Sequence, residues 1–69
     1  MYLVIELQTD AQGTVANLAT QHATLPEAES KYYTVLAAAA ISTVAKHAAV
    51  LMTSEGQALE ARCYEHGGE

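Results

Sequence analysis

One helix start divides this chain into two halves, and each half reads as a pair of strands. Thr24-Leu25-Pro26-Glu27 fits a capping box, in which Thr24 caps free backbone amides and Glu27 reaches back toward the cap. Pro26 falls in the first turn, where its missing N–H costs nothing. Glu27 and Glu29 suit the positive end of a helix. Good helix formers continue to about Ile41–Thr43. At about 100° per residue, Leu25, Ala28, Tyr32, Val35, Leu36 and Ala39 share one face, which is predicted to cover a sheet. The opposite side carries Ala37, Ala38 and Ile41; its alanines are accounted for by helix propensity.

Upstream, residues 2–8 are rich in β-formers, with Leu3, Ile5 and Leu7 on one face and Tyr2, Val4 and Glu6 on the other. Asp10-Ala11-Gln12-Gly13 supplies turn chemistry, and Thr14 to His22 returns as a more polar strand. Downstream, Lys46 to Thr53 forms a third strand, Ser54-Glu55-Gly56 a turn, and Gln57 to Tyr64 a fourth strand. The register of the second pair is open. A two-residue turn sets Met52 and Val50 against Leu59 and Ala61; a three-residue loop with a glycine bulge sets Leu51 and Ala49 there instead. The bulge is preferred, because Glu55 suits the positive φ of the shorter turn poorly.

The first and third strands are apolar on both faces and belong at the centre; the other two are mixed and belong at the edges. The predicted fold is therefore a single α+β domain over residues 1–66. Its order is β-β-α-β-β, with an antiparallel sheet ordered 2-1-3-4 and one helix on one face. Residues 67–69 are expected to fray.

Composition sets what such a fold needs. Hydrophobic residues make up 51% of the 69, but many are alanine, and Phe and Trp are absent. About 1.5 kcal/mol of entropy per ordered residue, against about 25 cal/mol per Å² of buried apolar area, leaves a domain of this size near balance. Small chains usually add a disulfide, a metal or a partner subunit. Cys63 is the only cysteine, so an internal disulfide is ruled out.

Eight acids against three basic residues give a net charge of −5. Three cations cannot neutralise a row of phosphates, so nucleic-acid binding is not expected. The least polar stretch, Val35 to Met52, is broken by Ser42, Thr43, Lys46 and His47, so no membrane span is expected. A lone thiol and an opening Met1-Tyr2-Leu3 without a basic leader predict a cytoplasmic location.

Reactive groups are few. Cys63 and His66 form a Cys-x-x-His pair, and His47 opposes the Cys63–Tyr64 region in either register. A structural zinc site takes four ligands, commonly as two spaced pairs. Only one pair exists, so Cys63 reads as a small buried hydrophobe and no metal or cofactor is expected. A Cys63–His47 nucleophile pair would need an orienting third group and a pocket. Small oligomeric tautomerases use an amino-terminal proline, whereas this chain opens with Met1 and has its one proline at Pro26. No enzyme is predicted.

The opening Tyr2-Leu3-Val4-Ile5-Glu6-Leu7-Gln8-Thr9, Gly13-Thr14-Val15, Ala28-Glu29-Ser30-Lys31-Tyr32, His47-Ala48-Ala49-Val50-Leu51 and Glu55-Gly56 together resemble small uncharacterised proteins of bacteriophages and prophages. The likeness spans nearly the whole chain through its hydrophobic pattern. It implies a phage-borne accessory or structural role and assigns no catalytic residue.

A single helix covers one face of four strands. The expected uncovered face presents Tyr2 and Val4 with, according to register, Ala49 and Leu51 (the preferred pair) or Val50 and Met52. A contiguous apolar patch of that kind calls for a partner. The predicted function is a non-enzymatic homodimer or higher oligomer that works through this face or the helix, with a different protein as the other candidate partner. The alternative is a small-ligand or metal-binding protein using His47, Cys63 and Tyr64 at one end of the sheet.

Overall fold

The computed structural model describes residues 1–66; the expected fraying of 67–69 lies outside the described residues. The elements are β1 (Tyr2–Thr9), β2 (Val15–His22), α1 (Leu25–Ala40), β3 (Lys46–Thr53) and β4 (Ala58–Glu65). They build one four-stranded sheet in the order β2-β1-β3-β4, with each neighbour antiparallel. The predicted fold class and strand order are those observed.

Local chemistry explains the boundaries. The Thr24 hydroxyl accepts the Glu27 amide at 3.4 Å and Pro26 lies in the first turn, so α1 starts where the cap predicts. Its last turn closes with the Ile41 amide donating to the Ala38 carbonyl at 3.3 Å. The two hairpin loops share one plan. In the first, the Asp10 amide donates to the Thr14 carbonyl at 3.0 Å, and Gly13 takes a φ of 88°. In the second, the Thr53 amide donates to the Gln57 carbonyl at 2.8 Å, and Gly56 takes a φ of 98°. In both, a side-chain oxygen of the leading residue braces the turn. Asp10 Oδ1 accepts the Gln12 and Thr14 amides, and Thr53 Oγ1 accepts the Gln57 amide. Only glycine adopts such a φ at little cost.

The second hairpin combines both registers considered from sequence. Its loop is the three-residue form, and Met52 pairs with Ala58 as that loop requires. A further bulge then shifts β4, so that Leu51 pairs with Glu60 and Val50 with Ala61. Leu51 and Ala49 therefore face Glu60 and Arg62, rather than Leu59 and Ala61.

Ala28, Tyr32, Val35 and Ala39 of α1 are buried, with Leu25 and Leu36 packed at the margin, as the helical periodicity predicts. The side of the sheet they cover is the reverse of the expected one. Of the residues expected on the uncovered face, Val4, Ala49 and Leu51 are instead buried in the core beneath the helix, with Tyr2 packed against them. Both faces of β1 are apolar, so alternation alone does not choose between them. Connectivity decides it. β2 and β3 run parallel with β1 between them, and crossovers joining such strands are right-handed in nearly all folds. With the first hairpin's pairing fixed by its loop, that handedness places the helix on the Val4 side. The small Ala49 then makes room for Tyr32 and Val35.

Candidate interaction surface

The pleat sorts every functional candidate onto one of two faces. On the helix side lie Glu6, Gln8, His47, Arg62 and Tyr64; on the open side lie Lys46, Cys63 and Glu65. Cys63 and Tyr64 are consecutive in a strand, so they project oppositely.

His47 is 4% exposed, and its Nε2 lies 2.6 Å from Glu6 Oε2. Gln8 Nε2 donates to the same carboxylate oxygen at 3.2 Å. The hydrogen bond from His47, with a smaller contribution from Gln8, holds the Glu6 carboxyl below its ordinary value of 4.5, against the opposing effect of burial. An ionised carboxylate only accepts, so His47 carries its proton on Nε2. His47 Nδ1 is buried and has no hydrogen-bond partner among the described residues. This pair escaped the sequence reading because Glu6 was placed on the uncovered face. Once Val4 and Ala49 are inward, the alternation brings Glu6 and His47 to the helix side too, with His47 buried and Glu6 half-buried.

The grouping of His47, Cys63 and Tyr64 into one site does not form. Tyr64 sits opposite His47 in the sheet, whereas Cys63 is on the other face and exposed, contrary to its expected burial. His66 Nε2 lies 2.8 Å from the Ala39 carbonyl oxygen, with its ring stacked 6.2 Å from Tyr64. The candidate ligands His47, Cys63 and His66 thus point to three places, and no cluster suited to a metal is found among the described residues. A groove of about 560 Å³ lies between the first hairpin loop and the α1–β3 connection, bordered by Gln8, Asp10, Thr14 and Val44. Its one carboxylate, Asp10, accepts the Gln12 and Thr14 amides through Oδ1.

The open face is different in kind. Across the two central strands it presents Leu3, Ile5 and Leu7 beside Met52, Val50 and Ala48, each paired directly with the next. Ala19 and Ala61 extend the apolar surface onto the edge strands. Among the described residues no element lies over this face; its central-strand residues are half-buried, by their neighbours in the sheet, and Ala19 and Ala61 are exposed. The charges on this face are Lys46 and Glu65, which are direct partners at one end. Thr9, Asn17 and Gln21 complete a polar margin. An apolar centre with a polar rim is the anatomy of a protein interface. No helix among the described residues is long and apolar enough to cross a membrane.

No protein-family model matches this chain, and neither a curated protein nor a solved structure matches it.

Proposed function

We propose that the chain is a non-enzymatic, homo-oligomeric interaction module whose copies join through the open sheet face. One observation carries this reading: Leu3, Ile5, Leu7, Ala48, Val50 and Met52 form a continuous apolar surface with no covering layer. Patches of that kind on small proteins mark contact sites. A second copy is the partner favoured by charge. The chain carries −5 overall, yet this face balances Lys46 against Glu65, so two copies meet there without net repulsion. Bacteriophage or prophage origin belongs to the same proposal and rests on the hydrophobic pattern of the sequence.

Four strands of eight residues offer a face of about 19 Å by 26 Å, roughly 500 Å² per copy. That lies below the roughly 800 Å² per partner of a standard interface. The contact is therefore concentration-dependent. The test is light scattering after size exclusion, from low micromolar to near-millimolar protein, for the wild type and Val50→Glu. The wild type is expected to exceed monomer mass, and Val50→Glu to lower that mass while keeping the wild-type circular dichroism. A wild type that stays monomeric across the range overturns the reading.

A further inference from the structure

The two edges of the sheet are unequally protected. β4 carries Glu60, Arg62 and Glu65 and is distorted by the bulge opposite Leu51 and Met52, the devices by which natural edges avoid pairing. β2, Val-Ala-Asn-Leu-Ala-Thr-Gln-His, has no charged acid, lysine or arginine, no proline and an unbroken register over its eight residues. It is exposed along nearly its whole length, with Val15 55% and Leu18 58% exposed. In a chain of net charge −5 an eight-residue edge free of carboxylates stands out.

The hydrogen-bond pattern shows which backbone groups are unused. The Asp10 amide donates to the Thr14 carbonyl, so that pair is a bonded one. Bonded and non-bonded pairs alternate along an antiparallel ladder. Ala16, Leu18, Thr20 and His22 therefore bond inward to β1, and Val15, Asn17, Ala19 and Gln21 direct their N–H and C=O groups away from the sheet. We propose that β2 is a self-pairing edge, through which a second copy adds its own β2 antiparallel and doubles the width of the sheet.

Geometry selects the register. Opposed residues must share a face, and outward-bonding residues must meet outward-bonding residues. Leu18 opposite the same residue of the second copy satisfies both. Val15 then meets Gln21 and Asn17 meets Ala19, which uses every outward group in about eight backbone hydrogen bonds. The exposed Leu18 side chains cover each other at the centre, in a non-bonded pair where side chains approach closest. The twofold axis stands perpendicular to the sheet, so both helices stay on one side and both open faces on the other. Guarded β4 edges at the two outer ends stop further addition, so the assembly closes.

The edge and the open face are separate surfaces, and variants tell them apart. Leu18→Lys lies on the helix side, clear of the open face, and sets like charges opposite each other; Ala19→Pro, at the margin of the open face, removes one outward donor and leaves the β1 ladder intact. Each is expected to halve the native mass of its parent, whether that parent is the wild type or Val50→Glu, at unchanged circular dichroism. Hydrogen exchange gives the residue-level readout: amides of Val15, Asn17, Ala19 and Gln21 are protected in the wild type and exchange freely in Leu18→Lys. Free exchange at these four amides in the wild type, or unaltered mass in both edge variants, overturns the proposal. Loss of mass in Leu18→Lys with none in Val50→Glu supports the edge and sinks the face.

Discussion

Glu6 and His47 meet at 2.6 Å across β1 and β3, diagonally rather than as direct partners, since Glu6 stands opposite Ala49 and His47 opposite Gln8. The contact ties the two central strands together at the end of the sheet beyond the apolar core. Its energetics depend on which groups are charged. A carboxyl held below its ordinary value of 4.5 by folding stabilises the fold above that value, and this contribution is lost as pH falls through the lowered one. Glu6→Gln keeps the shape and an acceptor for His47 but removes the titration. Urea unfolding from pH 7 to 3 is expected to show a shallower acid decline for Glu6→Gln than for the wild type. Equal slopes would mean that the pair has no electrostatic role.

Tyr32 behaves in the opposite sense. Burial first, and the nearby Glu60 charge second, raise its phenol above the ordinary 10.0. The neutral ring is the form the core accepts, so its contribution is complete below 10.0 and is lost as pH rises through the raised value. Tyr32→Phe removes the phenol, and the variant is expected to resist alkaline unfolding better than the wild type. Ultraviolet titration checks it: one tyrosine of the four should ionise late, and that one should vanish in Tyr32→Phe.

The covered and uncovered positions also differ in cost. Leu51 is fully buried beneath the helix, while Leu59 in the β4 bulge is 42% exposed. Leu51→Ala is expected to lower stability by about 2–5 kcal/mol, and Leu59→Ala by no more than about 1 kcal/mol. Chemical denaturation of the two variants side by side measures the difference. Similar losses would contradict the placement of the core on the Val4 side.

Much of this architecture was legible because local signals agree. The cap at Thr24, glycines at the ends of both loops and the apolar run of the central strands each specify one element, and together they specify the order. Which side the helix takes is not legible from alternation, because β1 is apolar on both faces, Tyr2 and Val4 on one and Leu3, Ile5 and Leu7 on the other; the handedness of the crossover decides it. The misplacement carried through to the site. It hid the Glu6–His47 contact, and it moved the expected contact surface from Tyr2, Val4, Ala49 and Leu51 to the residues between them. The bulge near Leu59 was equally hidden, because nothing in Ala58-Leu59-Glu60 marks a break in alternation.

The shared plan of the two hairpin loops has a kinetic consequence. Each ribbon closes over a handful of residues, so β1–β2 and β3–β4 form as local units on a timescale of microseconds. The seam between β1 and β3 joins residues 2–9 to residues 46–53, and no short connection helps to zip it. By sequence separation, closing that seam rather than either hairpin is the expected slow step of folding.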